Sequence, residues 1–288
     1  MKLFKISLSL CLIIQGISLS KAQEISVLSN IGFQGLDFTV SKGLNEIKIG
    51  GRVGVGYTYF IDNHFGIVTG AEVGIYRNSS TLEDQLFTSY EVDSENDAFE
   101  YRIKTKGYEE QSHFYAGSIP LMFQYRTAGE IQFYINGGGR IYIPFSQKTK
   151  ITAEELKMSG YYADTNVVLE DMSNFGFVTL KNWKGETEPK LDIGFGLSGE
   201  MGLSFNFSDR VRLYTGVYVD YGLNEMHKSN LGLDKSLINY NDKEYNKNAA
   251  NGILDTSTLV DKANLLGYGI QLRLGFGAYR SRNCFCSK

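Results

Sequence analysis

The side chains with the strongest chemistry in this sequence are eight charges set among glycines: Arg52, Glu72, Arg140, Asp192, Glu200, Arg212, Asp220 and Arg273. Four are basic and four are acidic, and each falls on the polar side of an alternating apolar/polar segment. Enclosed together they would pair, because an unpaired charge in a water-poor space is costly. That is structural chemistry rather than catalysis. The other candidates are few. His64, His113 and His227 are the three histidines. Ser112/His113 and His227/Ser229 could imitate a nucleophile beside a base. Neighbours on a strand point to opposite faces, however, so Ser112 and His113 would not meet. The acids Glu83, Asp84, Glu91, Asp93, Glu95, Asp97 and Glu100 form a run without a base between them. Its Asp93-x-Glu95-x-Asp97 core resembles the start of a calcium loop but lacks the glycine at six and the glutamate at twelve. It reads as a solvated acidic loop. No Gly-x-Ser-x-Gly, phosphate loop or paired-histidine zinc spacing occurs. No catalytic, cofactor-binding or metal residue is expected.

Strands must position these charges. From Leu266 to Tyr279 the chain alternates without a miss: Leu266, Tyr268, Ile270, Leu272, Leu274, Phe276 and Ala278 against Gly267, Gly269, Gln271, Arg273, Gly275 and Gly277. Period two is the mark of a strand with unlike faces. The segment is longer than the roughly five or six residues of a globular strand. It suits a tilted strand crossing a bilayer, which needs about 9–11 residues in the hydrocarbon. Eight such segments are read: 27–40, 46–60, 65–77, 113–126, 131–143, 191–205, 210–223 and 265–279. In 113–126, Pro120 falls on the polar face and forfeits a ladder hydrogen bond. In 27–40 the pattern changes phase near Gln34-Gly35, from Ile31/Phe33 to Leu36/Phe38/Val40, which predicts a β-bulge.

The connections alternate in length. Residues 61–64, 127–130 and 206–209 are tight, whereas 78–112, 148–190 and 224–264 are long and polar, with Asn-rich 239–251 read as a mobile loop. Tyr57, Tyr59 and Phe65, then Phe123, Tyr125 and Phe133, then Phe205 and Phe207 gather at the tight turns, and Phe276 and Tyr279 close the last strand. Amphipathic rings favour a membrane–water boundary. A soluble barrel would place the apolar face inside. Here the polar face holds the glycines and the charges, which suits a narrow, crowded interior. The expected fold is an all-β, eight-stranded antiparallel transmembrane β-barrel with short periplasmic turns and long extracellular loops. Its interior would be plugged.

Residues 1–22 read as a secretory signal peptide: Lys2 and Lys5, an apolar Leu8–Ile14, and Ser20 and Ala22 before the cut. The barrel domain would be 23–280 and a periplasmic tail 281–288. Cys284 and Cys286 in that tail are too close to the end to staple a fold. The net charge is −3 and the pI about 5.7, which argues against a nucleic-acid binder. Mean hydropathy is −0.20, an average that is blind to a barrel because its two faces cancel. The chain has 32 Gly, 19 Tyr and 18 Phe against 3 Pro, a balance that favours long strands.

The turn Phe60-Ile61-Asp62-Asn63-His64, the stretch Ser118-Ile119-Pro120-Leu121, the run Phe133-Tyr134-Ile135-Asn136-Gly137-Gly138-Gly139 and the strand Gly267–Tyr279 together resemble the small outer-membrane β-barrel family, the OmpA-transmembrane-like and PorT-like group. The likeness spans about residues 25–280. It implies an outer-membrane location, contact with outer-membrane lipid and lipopolysaccharide, and recognition by the insertion machinery, here at a terminal strand followed by Arg280–Lys288. It does not imply one activity. The expected role is a monomeric, non-enzymatic scaffold or binding protein acting through its extracellular loops, in one version a PorT-like secretion accessory. The alternatives are a lipid-modifying enzyme using a Ser/His pair and a narrow solute channel.

Overall fold

The computed structural model describes residues 23–93, 95–208, 210–227, 237–240, 251–256, 259–260 and 262–277. The expected signal peptide 1–22 and tail 281–288, with Ser229, lie outside the described residues. Period-two sequence becomes strand throughout: β1 Gln23–Asp37, β2 Gly43–Ile47, β3 Ile49–Phe60, β4 Phe65–Leu82, β5 Leu86–Val92, β6 Ala98–Lys106, β7 Tyr108–Arg126, β8 Ile131–Tyr162, β9 Val167–Glu170, β10 Thr179–Thr187, β11 Gly194–Asn206, β12 Val211–His227 and β13 Ala263–Gly277. A 3₁₀ turn, Ser173–Phe175, and one helical turn, α1 Gly252–Asp255, complete the elements.

The expectation of an eight-stranded transmembrane barrel with long open loops is corrected by the pairing. All thirteen strands form one sheet. Within it β1, β3, β4, β7, β8, β11, β12 and β13 make a ring, each antiparallel to two neighbours. The other five extend that ring at one end: β2 pairs with β4, β6, β9 and β10 pair with β8, and β5 pairs with β6. Segments 78–112 and 148–190 are therefore folded sheet, not loops. Their alternation is short and charge-rich. In β6 Phe99, Tyr101 and Ile103 alternate with Glu100, Arg102 and Lys104, so the polar face dominates the composition and hides the period. The acidic run 83–100 forms most of the β5–β6 hairpin. At its turn Asp93 accepts backbone N–H groups of Glu95 and Asp97 at 3.0 Å and the Tyr162 hydroxyl at 2.7 Å.

The ring and its extension differ in which face is apolar. Along β4 the outward residues Phe65, Ile67, Val73 and Ile75 give way to Arg77, Ser79 and Thr81. The inward residues run from Glu72 and Gly74 to Tyr76 and Leu82, with Asn78 and Ser80 between these last two. β7 repeats this, with Tyr115, Ile119 and Leu121 outward, then His113, Gln111 and Glu109. In β1 the inward set runs Asn30, Gln34, Leu36, and Phe38 follows in phase. The pairing of β1 with β13 runs without a shift through Gln34↔Gly267 and Gly35↔Leu266. There is no bulge at Gln34-Gly35. The hydrophobic pattern changes phase while the backbone register continues. A bulge does occur in β8, where Tyr115↔Ser146 is followed by Ala116↔Pro144.

The extension has its own apolar core, with Leu36, Phe38, Tyr76, Phe99, Tyr101, Phe114, Leu156, Phe177 and Ile253 buried together. Phe99 alone makes ring contacts with Tyr101, Tyr162, Phe177 and Tyr240 at 5.0–6.3 Å. We call this end the cap. Of the Asn-rich 239–251, residues 241–250 lie outside the described residues, and Tyr240 is docked in this core. The other end is closed by tight turns. In 61–64 the Asp62 carboxylate accepts the N–H groups of His64 and Phe65 at 2.7 Å, and these bonds hold its pKa below the usual range. Inside the ring, backbones crowd. A Cβ on Gly54 would stand 2.5 Å from the Ala71 carbonyl oxygen and 2.7 Å from Glu72 Cα.

Leu197 and Ser198 are adjacent in β11, the first 54% exposed on the outer belt and the second 4% exposed inside. In lipid vesicles Leu197→Arg is expected to destabilise the chain by roughly 2–4 kcal/mol. Ser198→Arg is expected to fail by crowding Arg140 and Asp220, with loss of the folded band on unheated gels. Urea unfolding in vesicles and gel migration measure the two, and small, equal effects would show that the outer belt does not face lipid.

A charge cluster inside the ring

Five strands aim charged groups at one point. Arg52 on β3 sits with Nε 2.8 Å from Glu72 Oε2 on β4, and its Nη1 donates to Asp220 on β12. Arg140 on β8 approaches the same Glu72 oxygen at 2.5 Å through Nη1. Its Nη2 lies 3.5 Å from Glu200 Oε1 on β11, and its Nε 3.5 Å from Asp220 Oδ1. The Arg140 Nε also donates to Ser198 Oγ at 2.8 Å, and the Ser198 hydroxyl donates to Asp220. Asn136 Nδ2 donates to Glu200 Oε2 at 2.8 Å. The side chains of Arg52, Arg140, Glu72 and Asp220 are at most 1% exposed. Each strand brings its charge inward by parity: the apolar neighbours of Arg52, Val53 and Ile49, are outside.

Toward the tight turns a second tier mixes charge with aromatic faces. Arg273 lies over the Tyr214 ring at 4.0 Å and the Tyr134 ring at 5.4 Å. Tyr214 donates to Glu24 Oε2 at 2.7 Å, and Tyr134 to Gln271 at 3.3 Å. Arg212 reaches Asn206 at 2.8 Å and Gln132 at 2.5 Å. Toward the cap, Arg52 lies under Tyr218, whose hydroxyl donates to Gln34, and Tyr76 stacks on Phe114 at 4.8 Å. The ring axis is thus filled from the turns to the cap core.

Of the eight charges singled out in the sequence, the structure brings Arg52, Glu72, Arg140, Glu200 and Asp220 into one cluster. Arg212 and Arg273 are buried nearer the turns. Asp192 is elsewhere: it is exposed, precedes β11, and donates its backbone N–H to Met226. Sequence reasoning misses Glu24, because it starts the first strand at 27, and gives Tyr134, Tyr214 and Tyr218 no role. Their place on the polar face among glycines is the available signal. Ser112 and His113 lie on opposite faces. Ser112 bonds Thr149 at 2.9 Å, and His113 faces Tyr115 on the outer surface. His227 is buried with Nδ1 3.0 Å from the Lys190 carbonyl and Nε2 3.4 Å from Asp255. Among the described residues no group of three His, Cys, Asp or Glu side chains could hold a metal ion. The five clustered charges pair with one another, while other buried polar atoms near them, among them Tyr142 Oη, Asn136 Oδ1 and Arg273 Nε, have no hydrogen-bond partner within the described residues.

One further buried acid lies in the cap. Glu110 accepts the Tyr108 hydroxyl at 2.7 Å and the Ile253 N–H at 2.8 Å, so it anchors α1. Burial, with some repulsion from Asp255, pushes its pKa from 4.5 up to about 7. Burial also raises the Tyr108 hydroxyl.

Comparison with known proteins gives one family. A model described as outer membrane protein beta-barrel domain matches residues 18–228. No curated protein matches the chain at a significant level. Among solved structures the chain is similar to the outer membrane protein OprG from Pseudomonas aeruginosa, at 14% identity over 91% of this chain and 100% of that one, with a TM-score of 0.38. It is similar to Neisserial surface protein A at 10% identity over 90% and 100% of the two chains, with a TM-score of 0.31. A major outer membrane protein from Thermus thermophilus gives 12% identity over 88% and 98%, with a TM-score of 0.35. At such scores the superposition is partial, and no function passes from these proteins to this one.

Arg140→Leu takes the ion-pair partner from Glu200 and leaves Glu72 and Asp220 to Arg52 alone, and is expected to cost about 3–5 kcal/mol in urea unfolding. The double change Arg140→Leu/Glu72→Leu is expected to cost clearly less than the sum of the single ones, because it removes both partners; strict additivity would mean the two groups do not couple.

Glu110 gives a pH dependence of definite sign. Between pH 4.5 and about 7 the folded chain holds a proton on Glu110 that the unfolded chain has released. The stability this group contributes is therefore full below 4.5 and is lost as the pH rises through about 7, up to about 3 kcal/mol in all. Protease resistance of the cap should fall from pH 5 to pH 8 in the natural chain, and Glu110→Gln should flatten that fall. An identical slope in the variant would remove Glu110 as its source.

Proposed function

Since the chain belongs to the outer membrane protein beta-barrel domain family, we propose that it is a membrane-embedded scaffold whose ring crosses the bilayer and whose folded cap presents a binding surface outside the cell. It is a non-enzymatic protein of the bacterial outer membrane. The observation that carries the proposal is the inversion of faces along β1, β4 and β7. Along these strands the outer face is predominantly apolar over the ring, as a lipid-facing surface must be. Above it the outer face becomes polar and the inner face gains large apolar side chains, Leu36, Tyr76, Leu82 and Phe114, which is the pattern of a sheet standing in water over its own core. A rigid cap, rather than loops that order on contact, keeps the entropic cost of binding small.

The tight turns then face the periplasm. The last ring strand, β13, alternates fully and carries Phe276 near its end. It is the segment that the outer-membrane insertion machinery would engage. A role as an accessory of a secretion assembly is one specific version of the binding function, and requires a partner on the cap.

The orientation is read by labelling intact cells with an impermeant thiol reagent, in a chain with Cys284 and Cys286 replaced by Ser. Tyr90→Cys on β5, 88% exposed, is expected to react. Ser208→Cys in the β11–β12 turn is expected to stay unlabelled until the outer membrane is opened. The reverse result would invert the topology.

The filled axis bears on transport. With Arg52, Glu72, Arg140, Glu200 and Asp220 paired across the ring, purified protein in planar bilayers should show no steady conductance. A large, stable current in the natural chain would replace the scaffold reading with a channel.

A further inference from the structure

We propose that the cap end of the outer belt carries a binding site for a phosphorylated glycolipid of the outer leaflet, on the face formed by β4, β7 and β8. The site deepens the scaffold reading, since it rests on the cap being outside. Its residues stand in register. Arg77 on β4 is directly opposite His113 on β7, and His113 is opposite Lys148 on β8. Lys48, between β2 and β3, donates its backbone N–H to the Arg77 carbonyl at 2.9 Å, which places it beside the same row. Lys150 stands two residues further along β8, opposite Gln111. Neighbouring strands are about 4.8 Å apart, so the cations are spaced to share one phosphate group.

The row marks the boundary of the apolar belt. One step toward the ring, Ile75 is opposite Tyr115, and Tyr115 stacks on the exposed Phe145 at 6.3 Å. An open cleft of about 540 Å³ joins the two levels, with Lys48, Arg77, His113 and Lys150 at its polar end and Ile75 and Tyr115 at its apolar end. That is the division of a lipid: an anionic head at the boundary and acyl chains along the belt. Two cations are already engaged: Lys48 with Glu46 at 2.5 Å and Lys148 with Glu186 at 2.6 Å. Both acids sit further from the belt than their partners. Glu109 also lines the cleft, at its far end. Arg77 and Lys150 have no carboxylate within 4.0 Å among the described residues; Lys150 stands opposite Glu186 on β10 and is attracted by it without an ion-pair contact, and both cations line the cleft. Arg77 supplies a planar fork that matches phosphate, and Lys150 a mobile point charge.

Among the described residues the rest of the ring does not repeat this arrangement. Where the belt ends on β1, β11 and β12 the outer surface carries Asp37, Asp192 and Glu225, with Lys262 3.9 Å from Glu225. A diffuse attraction to an anionic surface would not need the cations on one side. A cleft that is cationic at one end, apolar at the other and placed at the membrane boundary fits a lipid better than a soluble anion, which would have no use for Ile75, Tyr115 and Phe145.

The test uses the full chain in phosphatidylcholine nanodiscs doped with phosphorylated lipid A, read by native mass spectrometry. Such discs present the glycolipid in both leaflets, so the result does not depend on orientation in the cell, which the labelling experiment decides separately. The natural chain is expected to retain one lipid A, and Arg77→Ala/Lys150→Ala to retain it at least 10-fold more weakly. Arg77→Lys should keep part of the affinity, and Lys262→Ala, a charge control on the far side, all of it. Retention of the dephosphorylated glycolipid as tightly as the phosphorylated one would overturn the proposal. So would equal retention by the double variant, or tighter retention of phosphatidylglycerol than of lipid A.

Discussion

Two guanidinium groups facing three carboxylates, buried inside the ring, fix this molecule. Arg52 and Arg140 cannot leave Glu72, Asp220 and Glu200 without leaving charge unpaired in a buried interior, where the cost is several kcal/mol. Those five residues come from β3, β4, β8, β11 and β12. The cluster therefore specifies which strands face one another across the ring, and in which register. A slip of one residue in β3 would turn Arg52 out into the apolar belt and bring Val53 in. Backbone pairing alone has no such preference. The ring owes its closure to hydrogen bonds, and its register to this cluster.

The tyrosines around the cluster extend the same logic. Tyr134, Tyr214 and Tyr218 give cation-accepting faces to Arg273 and Arg52, while their hydroxyls reach Gln271, Glu24 and Gln34. A crowded ring interior has to solvate its own charges. Aromatic faces and amides do so without adding net charge.

Eight ring strands are legible in the sequence because alternation there is between aliphatic or aromatic residues and glycine or charge, the largest contrast the alphabet offers. The cap is not. In β6, Phe99, Tyr101 and Ile103 mark the buried face as clearly as Val53 and Val55 mark the outer one, but their strand is short and sits in an acidic run. The apparent break at Gln34-Gly35 is the most informative misreading. Leu36 and Phe38 occupy the same face as Gln34, and what changes beside them is the medium. A pattern in one strand records polarity relative to its surroundings, so a strand that leaves one solvent for another reverses its signal while its backbone continues. Glu24 and Glu110 are not legible as site residues, since each acts through partners distant in sequence, Tyr214 and Ile253. The charge cluster is legible as a set of inward residues, apart from Asp192, which parity alone places inside.

The pairing of β1 with β13 joins the first described strand to the last. Such a contact spans the longest chain separation available, and the loop-closure entropy it must overcome makes it late to form. Until β13 arrives, β1 and β12 are open edges whose amide and carbonyl groups have no partner in hydrocarbon, a state that lipid does not tolerate. In the proposed bilayer setting the ring has no stable half-built form. Closure of the ring therefore waits on β13, and the two strands it joins are the ones exposed until then.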